Sequence, residues 1–146
     1  MANAKVHNYN FQRKGCYIVS QSNTGSDGVH RKRIQAKFAI SGLGMLVAGT
    51  ILGQDTATKE YFPHDPTANN GTEIASAILY DKVNVGDTKA VGEQTHAPVD
   101  LGDMAVHGEY LVFAKGTTPT QLSDAINSLT DKGFTIRNMA DITVPA

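Results

Sequence analysis

The chain has 146 residues, a formal net charge of −1, 14 glycines, no Trp and a single cysteine, Cys16. That length fits one domain, which can bury roughly 70% of its unfolded surface and so needs no staples; one cysteine excludes an intramolecular disulfide. Few aromatics and frequent glycine predict a core of Val, Ile, Leu and Ala in short elements joined by many turns.

Residues 1–37 read as an extended basic arm. They are polar and contain the run Gln21-Ser22-Asn23-Thr24-Gly25-Ser26-Asp27-Gly28, which has little to bury and much backbone entropy to lose. Residues 1–40 hold Lys5, Arg13, Lys14, Arg31, Lys32, Arg33 and Lys37 against Asp27 alone, a net of +6 that leaves −7 for the rest. A basic arm on an acidic body suits head-to-tail contact with a neighbour or docking on an acidic partner. It does not suit a nucleic-acid binder, because the body would repel phosphate. Within the arm, Cys16-Tyr17-Ile18-Val19 is β-prone. It would pair either with another chain's sheet edge or with this protein's own body.

The body is expected over residues 38–146. Phe38-Ala39-Ile40 reads as a strand, and Ser41-Gly42-Leu43-Gly44 as a turn. Met45 to Gly53 (MLVAGTILG) is apolar, short and Gly-interrupted, and predicts a strand. Lys59 to Pro63 reads as a strand ended by proline, and His64 to Gly71 as a polar loop. Glu73 to Asp81 is the next strand candidate, followed by a turn at Asn84–Asp87. Lys89 to Val99 predicts one long interrupted strand whose Gly92 and Pro98 argue for an edge or a bulge. Leu101 to Val106 is ambiguous, and Glu109 to Ala114 suits a strand or a helical turn. Residues 119–132 predict a helix. Thr118 and Gln121 form a capping box, Pro119 occupies the first turn, and Leu122, Ala125, Ile126 and Leu129 make one apolar stripe ended by Gly133. Phe134 to Arg137 alternates like a strand. The pattern is α+β, mainly β.

Motifs for chemistry are weak. Gly42-Leu43-Gly44 lacks the third glycine of a dinucleotide loop. His64, Asp65, His96, His107 and Glu109 match no metal-ligand spacing, and His7 with Cys16 lacks a rigid frame for nucleophilic catalysis. Neither an enzyme activity nor a cofactor is expected. No stretch is apolar enough to span a bilayer and no secretory signal is evident, so synthesis in a cytoplasm and retention there, or in something assembled there, are expected.

One ordered set of residues carries a resemblance. The run Leu46-Val47-Ala48-Gly49-Thr50-Ile51-Leu52-Gly53 is followed by Tyr61-Phe62-Pro63, by Gly71, and by Ala75 to Leu79. Ala97-Pro98-Val99, Leu101 and a late helix ending in Lys132-Gly133-Phe134 come after it. Over roughly residues 38–137 this resembles the head decoration protein family of lambda-like bacteriophages. Two features depart from the family's plainest pattern: the arm is longer and more basic, and the bulky residue after the helix-ending glycine is the aromatic Phe134.

The resemblance implies a small, barrel-like β-rich body with an N-terminal arm. It also implies a homotrimer on the outer surface of the virion that binds the major capsid protein, without membrane or direct nucleic-acid contact. Arg13, Lys14, Cys16, Tyr17, Ile18, Val19, Arg31, Lys32 and Arg33 are the expected capsid-binding residues of the arm. The alternatives are a tail or fibre attachment module, which would bind tails or cells, and a small hydrolase, which would need a concave acidic site.

Overall fold

The computed structural model describes residues 16–21, 33–38, 45–85 and 96–145. Its strands run, in chain order, β1 (Ile18–Gln21), β2 (Arg33–Lys37), β3 (Met45–Leu46), β4 (Ile51–Gln54), β5 (Tyr61–Pro63), β6 (Ala77–Leu79), β7 (Val83–Asn84), β8 (His96–Asp100), β9 (Met104–His107) and β10 (Phe134–Arg137). One α-helix, α1 (Pro119–Asp131), precedes β10. The fold is α+β, mainly β.

Two sheets do most of the building. The larger is an antiparallel sheet of order β2-β8-β6-β4-β5, and the smaller has the order β1-β9-β10. In the smaller sheet β1 runs antiparallel to β9 and β10 parallel to it. A parallel pair cannot be joined by a tight turn; here the connection carries α1. The alternation of side chains across the larger sheet gives it a core on each face. Ile51 and Ile78 point into a core with Tyr17, Val106, Leu129 and Phe134. Leu52, Ala77 and Leu79 point into the other, with Ala36, Phe38, Val85 and Val99.

The predicted helix forms as its stripe requires. Thr118 accepts from the Gln121 N–H while the Gln121 side chain accepts from the Thr118 N–H, and Ala125 and Leu129 are buried. The predicted strand over Met45–Gly53 is instead two strands in different sheets. β3 pairs with β7, then Gly49 takes φ of 95°, a value that favours glycine, and β4 enters the large sheet. Pro98 lies in β8, an interior strand rather than an edge. It is tolerated because β6 ends at Leu79, so the missing N–H falls beyond that ladder while the Pro98 carbonyl accepts from the Tyr80 N–H. Of the long strand predicted over residues 89–99, residues 96–99 belong to β8, and residues 89–95 lie outside the described residues. Glu109–Ala114 gives a 3-10 turn at Gly108–Tyr110 and one bridge between Val112 and Thr50.

The barrel-like body expected above is not a closed barrel. Among the described residues the edges β2 and β5 approach through one bridge, Phe38 to Tyr61, beside a partly exposed ion pair between Lys37 and Glu60 at 3.3 Å. β5 is only three residues long and ends at Pro63, too short to carry a continuous closing ladder.

Candidate interaction site

The two described pieces of the arm are built into the body. β1 pairs with β9, and β2 pairs with β8 along its whole length, from Arg33 opposite Asp100 to Lys37 opposite His96. Of the two partners left open for the Cys16–Val19 patch, it takes this protein's own sheet. Arg13, Lys14, Arg31 and Lys32 lie outside the described residues. Cys16 and Ile18 are partly buried against the core that holds Tyr17, and Val19 lies in β1.

One fully buried carboxylate, Asp100, ties these pieces together. The Tyr17 hydroxyl donates to Asp100 Oδ2, and the Arg33 Nε–H donates to Oδ1 at 2.6 Å. The Arg33 guanidinium also lies 3.6 Å from the centre of the Tyr80 ring, a cation–π stack. Burial foremost, then the Asp100 charge and the hydrogen bond to it, push the Tyr17 phenol far above its ordinary range. The phenol therefore stays protonated and remains a donor. A buried carboxylate is tolerable only when paired and hydrogen-bonded, and Asp100 has both kinds of partner, one from each described piece of the arm.

Asp100 and Tyr80 were not singled out by sequence reasoning. The available signal was one acid ending the otherwise apolar strand of Ala97-Pro98-Val99-Asp100-Leu101. The sequence offers nothing that pairs it with a tyrosine 83 positions away.

The outward side of β2 presents a different surface. Ile34 (43% exposed), Gln35 and Lys37 face solvent from a strand that pairs, among the described strands, with β8 alone. Exposed strand edges carrying lysine are guarded against indiscriminate pairing yet remain available to a matching partner.

The histidines and acids considered for metal binding do not converge; among the described residues no group of three or more His, Cys, Asp or Glu could hold an ion. His64 is buried just after β5. Its Nε2–H donates to the Glu73 carbonyl at 3.0 Å, and its Nδ1 has no partner among the described residues. Burial lowers its pKa against the opposing pull of the Glu73 carbonyl and the charges of Asp65 and Glu73. His96 is exposed at the start of β8, and His107 ends β9 with its ring edge-on to Tyr110.

Residues 26–134 match the family described as bacteriophage lambda head decoration protein D. The match spans β2 to the start of β10, with the whole of the large sheet and α1, and leaves β1 outside; the chain belongs to that family. The family is a structural family of phage capsids. No curated protein sequence matches the chain.

Proposed function

We propose that this protein decorates the outer surface of an expanded phage head, where it binds the major capsid protein as a homotrimer. There it stabilises the shell against the internal pressure of packaged DNA. The observation that carries this reading is the family match over residues 26–134, which takes in β2 to β9 and α1. The arm, residues 1–37, supplies the capsid contact through Arg13, Lys14, Cys16, Tyr17, Ile18, Val19, Arg31, Lys32 and Arg33. Tyr17 and Arg33 act at its roots, by holding Asp100; the basic residues on either side meet the shell. The role needs no catalysis or cofactor. The acidic remainder of the chain disfavours direct nucleic-acid binding.

A protein that binds only the expanded shell stabilises it over every form it does not bind. Three arms on one trimer act at high effective concentration, so each can be individually weak.

Co-sedimentation with expanded, undecorated heads at low and moderate salt tests the reading. The expected result is saturable binding in multiples of three that weakens with salt and falls when residues 2–14 are deleted. Absence of binding at both salt concentrations would overturn it.

A further inference from the structure

The sequence holds one Asn-Gly step, Asn70-Gly71, and it falls in the loop between β5 and β6. In such a step the glycine nitrogen can attack the preceding side-chain amide and close an imide ring, because glycine has no Cβ to hinder the approach. Position 71 is reserved for glycine here. Gly71 takes φ of 107°, and an added Cβ would lie 2.5 Å from the Gln54 carbonyl oxygen and 2.7 Å from Thr56 Cγ2.

Hydrogen bonds already arrange the groups that this reaction uses. The nucleophile is the Gly71 nitrogen, whose N–H donates to Glu73 Oε1 at 2.8 Å. That lies within the roughly 2.6–3.2 Å over which a general base takes a proton. The electrophile is Asn70 Cγ. Its oxygen, Oδ1, accepts from the Thr72 N–H at 3.1 Å and from the Thr72 hydroxyl at 2.7 Å. Two such donors draw electrons from Cγ and match the roughly 2.7–3.1 Å spacing of an oxyanion hole. The leaving nitrogen, Asn70 Nδ2, donates to Asp55 Oδ2 at 3.3 Å. The frame is held from outside the step. Thr72 is buried, its carbonyl accepts from the Asp65 N–H, and the Asn70 carbonyl accepts from the Thr56 N–H at 2.9 Å and from the Thr56 hydroxyl at 3.1 Å. Groups placed before the reaction begins lower its entropic cost. Asn70 itself is exposed, so water reaches the product.

We propose that Asn70-Gly71 is a self-modification site, at which Glu73 acts as general base and Thr72 as oxyanion donor for closure of a succinimide. Glu73 takes the Gly71 proton as the N–Cγ bond forms, and the two Thr72 donors hold the charge that develops on Oδ1. The Cγ–Nδ2 bond then breaks, the proton passes from Glu73 to Nδ2, and ammonia leaves. Water opens the imide at either carbonyl, to aspartate or to isoaspartate, and no other co-reactant is needed. Aspartate sets a new carboxylate against Asp55. Isoaspartate adds a methylene to the backbone and turns the carbonyl held by Thr56 into the carboxylate. Either product loosens the loop of residues 64–73. The inference is independent of capsid binding.

The test incubates the full-length protein at neutral pH and reads imide, aspartate and isoaspartate at residue 70 by peptide mapping with mass spectrometry. Asn70 should react at least about tenfold faster in the folded protein than in the same chain unfolded in guanidinium. Glu73→Gln keeps an acceptor for the Gly71 N–H but no base, and should slow the folded-state reaction by about tenfold or more. Thr72→Val removes one oxyanion donor and should also slow it. Amide exchange in β4 and β6 reports that each variant stays folded. The pH profile separates a chemical role for Glu73 from a structural one. Between about pH 7 and 9 the wild-type rate should change little, whereas the Glu73→Gln rate should rise about tenfold per pH unit, because hydroxide must then remove the proton. A folded-state rate equal to or below the unfolded rate would overturn the proposal, since the loop would then hold the amide out of line with the nitrogen. So would a Glu73→Gln variant with the wild-type rate or the wild-type profile.

Discussion

Asp100 is the position where one substitution should loosen both roots of the arm. In Asp100→Asn one acceptor oxygen becomes a donor, so two donors, Tyr17 and Arg33, compete for one acceptor and the ion pair is lost. A hydrogen bond to a charged group contributes about 1.5–3 kcal/mol, and breaking a buried pair from one side costs about 3–5 kcal/mol. The Arg33 side chain is 18% exposed and regains some solvation, which places Asp100→Asn near the lower end, at about 3 kcal/mol. That is a large share of the roughly 5–15 kcal/mol that holds a domain together. Urea unfolding at matched protein concentration reads it as a fall in midpoint with little change in slope. A cycle with Tyr17→Phe isolates the pair and should give a coupling of about 0.5–3 kcal/mol. Destabilisation below about 0.5 kcal/mol, the range of an ordinary surface change, or a coupling near zero, would refute the claim that this carboxylate anchors the arm.

Three further outcomes follow from the same geometry. Because burial raises the Tyr17 pKa in the fold, the native state holds that proton more tightly than the unfolded chain does. Stability from Tyr17 is thus complete below about pH 10 and falls above it by up to about 1.4 kcal/mol per pH unit, a slope that alkaline urea titrations should find reduced in Tyr17→Phe. His64 shifts the other way: its depressed native pKa means stability is held above about pH 6.5 and lost as pH falls towards that lower value. Acid-limb unfolding curves should flatten in His64→Gln, with Asp65 and Glu73 left as the nearby charges. Gly102→Ala would place a methyl 1.9 Å from the Lys132 carbonyl at φ of 148°. Strain and overpacking of about 1–3 kcal/mol each should lower the thermal midpoint by at least several degrees for a domain this size.

The helix was legible because its signals are local. A capping box, a proline in the first turn, a stripe of four apolar residues and a glycine stop all lie within sixteen positions, and the observed helix ends one residue short of the predicted span. β4, β5, β6 and β10 were legible as apolar or alternating runs bounded by turns. The break at Gly49 was not, because an apolar run looks the same whether it continues in one sheet or crosses to another; only tertiary pairing decides. The arm shows the same limit from the other side. Composition divides the chain at residue 37, yet β1 and β2 pair with β9 and β8. Polar composition reports how little a segment can bury by itself, whereas a single Tyr and a single Arg suffice to fasten it when the body supplies a buried carboxylate.

That fastening bears on how the arm could work. β8 ends at Asp100 and β9 begins at Met104, so the turn at Leu101–Asp103 carries the chain from the large sheet to the small one. Tyr17 and Arg33 meet at the start of this turn, and the close of α1 presses on its far side, where an added Cβ at Gly133 would lie 2.5 Å from Asp103 Oδ1. Asp100 is fully buried and can touch no partner. It nevertheless fixes the points from which the basic residues of the arm extend, and segments already ordered in the free protein need not be ordered again on docking. Asp100→Asn should therefore weaken binding to expanded heads as well as the fold, by about threefold or more per arm, when measured by co-sedimentation well below the variant's unfolding midpoint. Lysine-to-glutamine substitution at Lys37, on the outward edge of β2, provides the contrast, since it removes a surface charge and leaves the anchor intact. Wild-type affinity in Asp100→Asn would mean that the arm engages the shell without help from its roots, and that Tyr17 and Arg33 serve the fold alone.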